Sequence, residues 1–208
     1  MIVVSSAGRS MIEMLGVLAI IGVLSVGGIA GYSKAMATLR LNRWRNDIVL
    51  LIANIQMMYI TQRTYSGRWT GNSGQGDKDI TASFKNLEVI PGNMLDENGV
   101  DAFGNSLKFY ERYWNIYGTR LKIQFESEKG QNAVKSCKTL FDFVNLYPTL
   151  WEVSIDGRYK VCGHGAPADY SKNSGCKPLP LNWAEMSAQC KKCEGVKCRI
   201  FLLFDNNV

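Results

Sequence analysis

Two hydrophobic patterns follow one another along the first sixty residues. Residues 14–31 carry no charged side chain. In a helix, at about 1.5 Å per residue, a stretch of this length just reaches across a bilayer. Beyond it, apolar residues recur at steps of mostly three, four and seven, as in a helix with one buried face. These periodic positions are Met36, Leu41, Trp44, Ile48, Leu51, Ile52, Ile55, Met58 and Tyr59.

The two patterns together predict a single long helix. No proline occurs before Pro91, so the sequence contains nothing that forces a break between them. We expect one helix over residues 12–62, about 75 Å long. Its apolar first half would protrude, and its amphipathic second half would pack on a globular domain.

The chain after this helix predicts a small antiparallel sheet. The stretch SGRWTGNSGQGD at 66–77 is typical of a glycine-rich loop. Turn residues such as DENG at 96–99 and DG at 156–157 separate short β-like runs. The runs are 107–110, 120–125, 150–155, 159–162 and 199–204, and 135–144 could form a helix. This layout predicts an α+β fold, in which the long N-terminal helix packs on the sheet.

The charge balance is mildly basic, since 24 Lys and Arg against 18 Asp and Glu give a net charge of +6. A basic surface could favour nucleic acid, but no dense basic run with interleaved aromatic residues occurs. Nucleic acid is therefore a partner that the charge permits and no motif supports. The hydrophobic fraction of 46% is ordinary for a globular protein, so only the N-terminal segment indicates a membrane.

All six cysteines lie in the last third of the chain, between Cys137 and Cys198. An even number in a loop-rich region predicts disulfides, which require an oxidising compartment. The cations indicate the opposite orientation, because the first eight residues carry no Lys or Arg, whereas four cations follow the apolar span at 34–45. We give the cysteines more weight and expect the C-terminal domain outside the cytoplasm.

The CKKC motif at 190–193 allows a second interpretation, since with Cys198 and His164 it could bind zinc. A second CxxC is absent, so we favour disulfides and expect no metal site. His164 is the only histidine and lies between two glycines, which is typical of an exposed loop. A conventional catalytic triad is therefore not expected, and we predict neither an enzyme nor a cofactor.

The segment GRSMIE at 8–13 opens the uncharged helix. This succession of Gly8, Glu13 and an apolar helix resembles the processing and assembly signature of type IV prepilins and the related pseudopilins of type II secretion. The resemblance implies that a prepilin peptidase cuts after Gly8 and methylates the new N-terminus, Arg9. Glu13 would then be the fifth mature residue, which is the assembly residue of that family. Arg9 departs from the bulky apolar residue that the family prefers there.

A lone acid at the edge of an apolar span needs a partner, because burying it unpaired costs several kcal/mol. The resemblance implies that Glu13 meets the N-terminal amine of a neighbouring subunit, which would fix the register of the helices. Gly27 and Gly31 form a small-xxx-small step that permits close helix contact. These two, with Gly22 and Gly28, also weaken the helix by about 1 kcal/mol each relative to alanine. Local unravelling there on assembly is a further hypothesis.

Three later stretches are similar to type IVb pilins of the PilS-like group. They are VIPGNMLDENGVDAFGNSLKF at 89–109, NAVKSCKTL at 132–140 and AQCKKCEGVKCRIFLLFDN at 188–206. This resemblance implies a disulfide between Cys137 and Cys190 that staples the C-terminal region to the sheet. The other four cysteines have no counterpart there. Among the fifteen connectivities that six cysteines allow, we favour Cys162 with Cys176 around a Gly-, Pro- and Asn-rich loop. Cys193 with Cys198 would close a small ring.

The resemblance implies four segments: a leader at 1–8, a transmembrane and filament-core helix at 9–31, its amphipathic continuation at 32–65 and a globular α+β domain at 66–208. The subunit would enter the bacterial inner membrane and be assembled there by the pilus machinery. Packing of N-terminal helices would give a homopolymer, an extracellular type IV pilus of the kind used in cell adhesion. The alternatives are a type II secretion pseudopilin and a minor tip pilin with a binding role.

Overall fold

A computed structural model describes residues 11–62, 76–114 and 118–204 of the chain. The helices are α1 (Met11–Gln62), α2 (Thr81–Asn86), α3 (Gln131–Asp142), α4 (Ala168–Ser174) and α5 (Trp183–Lys191). The strands are β1 (Gly76–Asp79), β2 (Asn105–Trp114), β3 (Gly118–Ser127), β4 (Leu150–Ile155), β5 (Tyr159–Cys162) and β6 (Cys198–Phe204). Single 3₁₀ turns follow α3 and α5.

The single long helix expected from the sequence is confirmed, since α1 is continuous over 52 residues. The chain divides into two compact units, one ending at Arg43 and the other beginning at Trp44. The helix contributes residues to both units. No proline or glycine occurs in its second part, in agreement with its uninterrupted course.

The two parts of α1 differ in burial. Side chains 13–40 are all exposed. In the second unit an apolar stripe of α1 is buried and at most 4% exposed: Trp44, Ile48, Leu51, Ile52 and Ile55. Met36, although part of the predicted stripe, is 47% exposed. Burial therefore begins later than the periodicity alone indicates, because a periodic apolar residue is buried only where the chain supplies a surface opposite to it.

The six strands form one antiparallel sheet in the order β1-β2-β3-β6-β4-β5. The C-terminal strand β6 lies between the hairpins β2–β3 and β4–β5 and joins them. At the β4–β5 turn, Asp156 and Gly157 have φ values of 50° and 68°, which is the hairpin turn that their sequence predicts. The long helix and this sheet confirm the α+β class.

The main core lies between α1, α3 and one face of the sheet. The Trp44 ring centroid is 4.9 Å from that of Phe103 and 6.4 Å from that of Phe125 in β3. Residues of one face alternate along the strands, as the pleat requires. Those at most 1% exposed include Leu121, Ile123, Phe125, Ile200 and Leu202. On α3 the residues Cys137, Leu140 and Phe141 are fully buried.

Leu203 faces the opposite side of the sheet from Leu202, because successive side chains of a strand alternate. A smaller apolar cluster lies on that other face. It consists of Trp151, Cys162, Tyr170, Cys176 and Leu203. The Tyr170 hydroxyl donates a hydrogen bond of 2.8 Å to the buried carboxylate of Glu152. Burial, with the nearby Glu152 charge, raises the pKa of Tyr170 well above its usual range. This tyrosine therefore remains a neutral donor.

Gly163 and Gly165 let the chain after β5 lie directly against β4. The Gly163 N–H donates to the Trp151 carbonyl oxygen at 2.8 Å, and the Gly165 N–H donates to that of Leu150 at 3.1 Å. A Cβ at Gly163 would collide with the Leu150 carbonyl oxygen. Backbone packing thus requires the glycines that flank His164, and His164 itself is exposed, as expected.

The sequence analysis missed four short elements. Strand β1 includes Gly76 and Asp77, which were expected in the loop at 66–77, and the rest of that stretch lies outside the described residues. As an edge strand of polar residues, β1 lacks the apolar alternation that predicts strands. Helices α2, α4 and α5 have six, seven and nine residues. Segments this short carry too little periodicity to predict a helix.

Candidate functional site

The first candidate site residue is Glu13, which lies in the first turn of α1 with its side chain exposed. The carboxylate is therefore accessible to a cation from outside the helix. The predicted cleavage and methylation positions, Gly8 and Arg9, lie outside the described residues.

An apolar surface surrounds the helix after Glu13. Its large hydrophobic side chains range from 53% exposed at Ile21 to 75% at Val23. By length and composition α1 is able to cross a membrane, and none of its most apolar window is buried. Signal sequences and core helices also meet the length criterion, but a core helix would be buried. An exposed surface this apolar needs lipid or protein to cover it.

Ser25 is the single hydroxyl-bearing residue within 14–31. Its Oγ donates a hydrogen bond of 2.7 Å to the Ile21 carbonyl oxygen one turn earlier. The hydroxyl therefore needs no partner outside its own helix, which matters because an unsatisfied polar group in hydrocarbon costs several kcal/mol. The span thus contains no polar side chain that requires water.

The four candidate glycines, Gly22, Gly27, Gly28 and Gly31, all lie within continuous α-helix. A Cβ added at any of them would meet no atom within 4 Å. Packing among the described residues therefore does not require glycine at these positions. Glycine at these positions can therefore matter in two ways. It lets another molecule approach the helix closely, or it weakens the helix itself. Unravelling on assembly stays a prediction.

The second part of α1 is anchored by a buried carboxylate that the sequence analysis did not single out. The Trp44 Nε1–H donates a hydrogen bond of 2.7 Å to Oδ2 of Asp101. Oδ1 of Asp101 accepts from the backbone N–H groups of Phe103 and Asn105, each at 2.9 Å. The Asn105 side-chain amide donates to both oxygens. Asp101 therefore joins the helix to the turn that precedes β2.

Asp101 is 5% exposed, and burial raises its pKa above the ordinary value, while the hydrogen bonds from Asn105, Phe103 and Trp44 oppose that rise. In the sequence, the sign of this buried carboxylate is only that Asp101 is an acid within the turn-rich segment DENGVDAFGN. Nothing local distinguishes Asp101 from Asp96 there, because its partner Trp44 is 57 positions away.

Polar contacts continue along the same part of α1. The Asn54 Nδ2 donates a hydrogen bond of 3.0 Å to the Val89 carbonyl oxygen. The Arg45 guanidinium lies 3.6 Å from an oxygen of Asp142 at the end of α3. The helix from Trp44 onward thus belongs structurally to the globular domain.

Three disulfides close the C-terminal region, and they join the pairs expected from the sequence. Cys137 of α3 is bonded to Cys190 of α5, with 5.6 Å between their Cα atoms. The other pairs are Cys162–Cys176 and Cys193–Cys198, with Cα separations of 5.3 and 5.4 Å. All six cysteines lie in the described part of the chain, and these three bonds pair every one of them.

The thiols that the zinc alternative required are therefore bonded to other cysteines. His164 is exposed in the turn after β5. Across 11–62, 76–114 and 118–204, no group of three or more His, Cys, Asp or Glu side chains is arranged to hold a metal ion.

The long apolar N-terminal helix, the antiparallel sheet and the disulfides are loosely compatible with a pilin-like fold. No protein-family model, curated protein or solved structure matches the chain.

Proposed function

We propose that this protein is a structural subunit of a type IV pilus, of the type IVb kind, and that it assembles by packing of its N-terminal helices. The observation that carries the proposal is the exposed acid of Glu13 at the start of an apolar surface that the described chain leaves uncovered. Such a surface is expensive in water and stable against lipid or other copies of the same helix.

The assembly step follows from the cost of burying a charge. Cleavage after Gly8 by a prepilin peptidase would create a positive amine on Arg9, four residues before Glu13. In a bundle of apolar helices, a carboxylate without a partner costs several kcal/mol, and one paired with a neighbour's amine costs much less. The pair therefore selects one axial register between subunits, and Glu13 acts as a docking residue rather than a catalytic one.

The apolar surface of the helix also sets the order of membrane insertion and filament assembly. The helix first occupies the inner membrane, where lipid covers it, and the disulfide-bonded domain lies outside the cytoplasm. The pilus machinery then transfers the helix into a filament, where neighbouring helices replace the lipid. At the four glycines an added Cβ would meet no described atom within 4 Å, so these positions would admit those neighbours closely.

Replacement of Glu13 by alanine tests the proposal. Glu13→Ala should leave the subunit stable in the membrane and sharply reduce filaments, because the registering ion pair is lost. Glu97→Ala is the matched control, since Glu97 is an exposed acid of the domain. The measurement is imaging of sheared surface fibres together with membrane levels of the subunit.

Fibres of normal number from Glu13→Ala would contradict the docking role. Identification of the main fibre component separates a major pilin from a minor tip pilin, which would be present at low abundance. A subunit that never appears in surface fibres but is required for protein export would instead indicate a secretion pseudopilin.

A further inference from the structure

A cleft of about 460 Å³ lies where the small ring between Cys193 and Cys198 meets the β4–β5 turn. Ligand pockets in proteins are typically about 300–1,000 Å³, so the cleft is large enough for a small molecule. We call it the turn cleft. Its lining residues are Glu126 of β3, Asp156 and Arg158 of the β4–β5 turn, Val196 and Lys197 of the small ring and Arg199 of β6.

The floor of the turn cleft is fixed by strand pairing. Glu126 of β3 lies opposite Arg199 of β6. The Asp156 backbone N–H donates a hydrogen bond of 2.8 Å to the Arg199 carbonyl oxygen. Ile200, which follows Arg199, is fully buried in the main core, so Arg199 projects from the opposite face of the sheet. The cleft therefore lies on the face away from the main core.

The small ring gives the cleft a preformed wall. Its disulfide joins two residues that are 5 positions apart. The Gly130 N–H donates a hydrogen bond of 3.0 Å to the Cys193 carbonyl oxygen and ties the ring to the start of α3. A site whose parts are fixed before binding loses less conformational entropy when a ligand arrives. Val196 of the ring is 55% exposed and offers this ligand an apolar contact.

Two of the three cations in the lining have acidic partners. Lys197 Nζ lies 2.8 Å from Oε1 of Glu126. It also lies 2.9 Å from a carboxylate oxygen of Glu128, an exposed acid outside the lining. Arg199 Nε lies 3.2 Å from Oδ1 of Asp156. An incoming anion would therefore compete with acids that already contact both cations.

Arg158 is the remaining cation of the lining. It is exposed, and its guanidinium has no ion pair or hydrogen bond to any residue that the structure describes. A guanidinium presents its N–H donors in a planar fork that matches the two oxygens of a carboxylate. The cleft therefore contains one guanidinium that is available to a carboxylate from outside the chain.

The two acids of the lining add hydrogen-bond acceptors. The hydrogen bond from Lys197 lowers the pKa of Glu126, so this side chain is ionised at neutral pH. An ionised carboxylate has about four acceptor positions. Glu126 uses two of them, for Lys197 and the Gln124 side-chain amide. Asp156 uses one, for Arg199. Both acids can therefore accept hydrogen bonds from hydroxyl groups of a ligand.

We propose that the turn cleft binds a sugar acid, a monosaccharide whose carboxylate pairs with Arg158 and whose hydroxyl groups donate hydrogen bonds to Glu126 and Asp156. Phosphorylated ligands and nucleic acid fit less well, because the two carboxylates of the lining repel a dianion or a polyanion. The inference goes beyond the proposed function and does not depend on it, since every lining residue belongs to the globular domain.

The test compares two ligands that differ at one group. Methyl β-glucuronide carries a carboxylate where methyl β-glucoside carries a hydroxymethyl group. Saturation-transfer difference NMR measures the dissociation constant of each, with the full chain in a detergent that has no sugar headgroup. The glucuronide should bind about tenfold more tightly, because only its carboxylate forms a charged hydrogen bond with Arg158. Acetate, which lacks the hydroxyl groups, and glucose 6-phosphate should both bind more weakly than the glucuronide.

Three variants assign the preference to the cleft. Arg158→Gln should abolish the roughly tenfold preference for the glucuronide. Arg158→Lys keeps the charge but loses the planar fork, so it should retain only part of the preference. Lys172→Gln removes an exposed cation from α4, outside the cleft, and should change nothing.

Equal affinities for the glucuronide and the glucoside would overturn the inference. A preference that survives Arg158→Gln, or that falls equally with Lys172→Gln, would do the same. Tighter binding of glucose 6-phosphate than of the glucuronide would overturn the assignment to carboxylates. Because the assay needs no filaments, an unchanged glucuronide affinity in a Glu13→Ala chain that forms no fibres would separate this result from the assembly proposal.

Discussion

The two parts of α1 have the same backbone conformation and opposite surroundings. From 13 to 40 every side chain is exposed, and the surface is apolar on all sides up to Gly31. From Trp44 to Ile55 an apolar stripe is buried, and polar side chains such as Asn54 have partners in the domain. The apolar stripe of the second part is covered by its own chain. The apolar surface of the first part is covered only when another molecule packs against it.

This difference shows how a helix with a single hydrogen-bonding pattern can carry two roles. The arrangement of apolar residues sets the role of each part. A stripe on one side of a helix packs against a single surface, whereas a helix that is apolar on all sides needs apolar surroundings on all sides. Substitutions in the first part should therefore act on insertion and assembly. Substitutions in the second part should act on the free energy of unfolding of the domain.

The largest expected effect is that of Trp44→Ala. It removes a fully buried ring that contacts Phe103 and leaves Asp101 without one of its donors. We expect a loss of about 3–5 kcal/mol in the free energy of unfolding. Denaturant unfolding of the full chain in detergent, followed by near-ultraviolet circular dichroism, measures it.

Val23→Ala is the matched change in the exposed part, since Val23 is 75% exposed. It should change the free energy of unfolding by less than about 0.5 kcal/mol. Trp44→Phe separates the lost hydrogen bond from the lost volume and should fall between the two. Similar losses for Trp44→Ala and Val23→Ala would contradict the division of α1 into a packed and an uncovered part.

Removal of a disulfide ranks next and should affect the domain alone. Cys137→Ala with Cys190→Ala opens a loop of 53 residues, which should cost about 4 kcal/mol by loop entropy. Cys193→Ala with Cys198→Ala opens a loop of 5 residues and should cost about 2 kcal/mol. The same unfolding assay compares the two. A larger loss from the small ring would show that loop length does not govern this region.

Much of this comparison could be predicted from the sequence, because its signals are long or chemically specific. The long helix follows from fifty residues of pattern, and the β4–β5 hairpin follows from Asp156 and Gly157 between apolar runs. Glu13 and the glycines stand out because they interrupt a uniform apolar segment. Signals of this kind do not depend on distant parts of the chain.

The features that could not be predicted depend on distant partners. Asp101 is an ordinary turn acid until the fold brings Trp44 to it. The tight approach of Gly163 to Leu150 likewise depends on the pairing of β4 and β5, although the glycines around His164 mark the place. The buried stripe starts at Trp44 and not at Met36, because the domain provides a packing surface only from Trp44 onward. Local patterns cannot contain this information.

The smallest expected effect is that of Gly27→Ala in the uncovered part. No atom lies within 4 Å of the added Cβ, so the change should stabilise the helix in detergent by about 1 kcal/mol. Amide hydrogen exchange around residues 22–31 should slow about fivefold, and the reciprocal change Ala30→Gly should accelerate it by a similar factor. Unchanged exchange would mean that glycine is not the source of weakness in this segment.

The same substitution should have the opposite sign in filaments. If neighbouring helices approach at Gly27 and Gly31, replacing both with alanine should lower the yield of sheared fibres, because each added methyl group occupies space that a neighbour needs. Ala30→Gly removes volume and should not obstruct contact, so it controls for a change in helix strength alone. A normal fibre yield from the double alanine variant would confine the role of these glycines to the free helix. A lower yield with slower exchange would show that a change favourable to the subunit is unfavourable to its assembly.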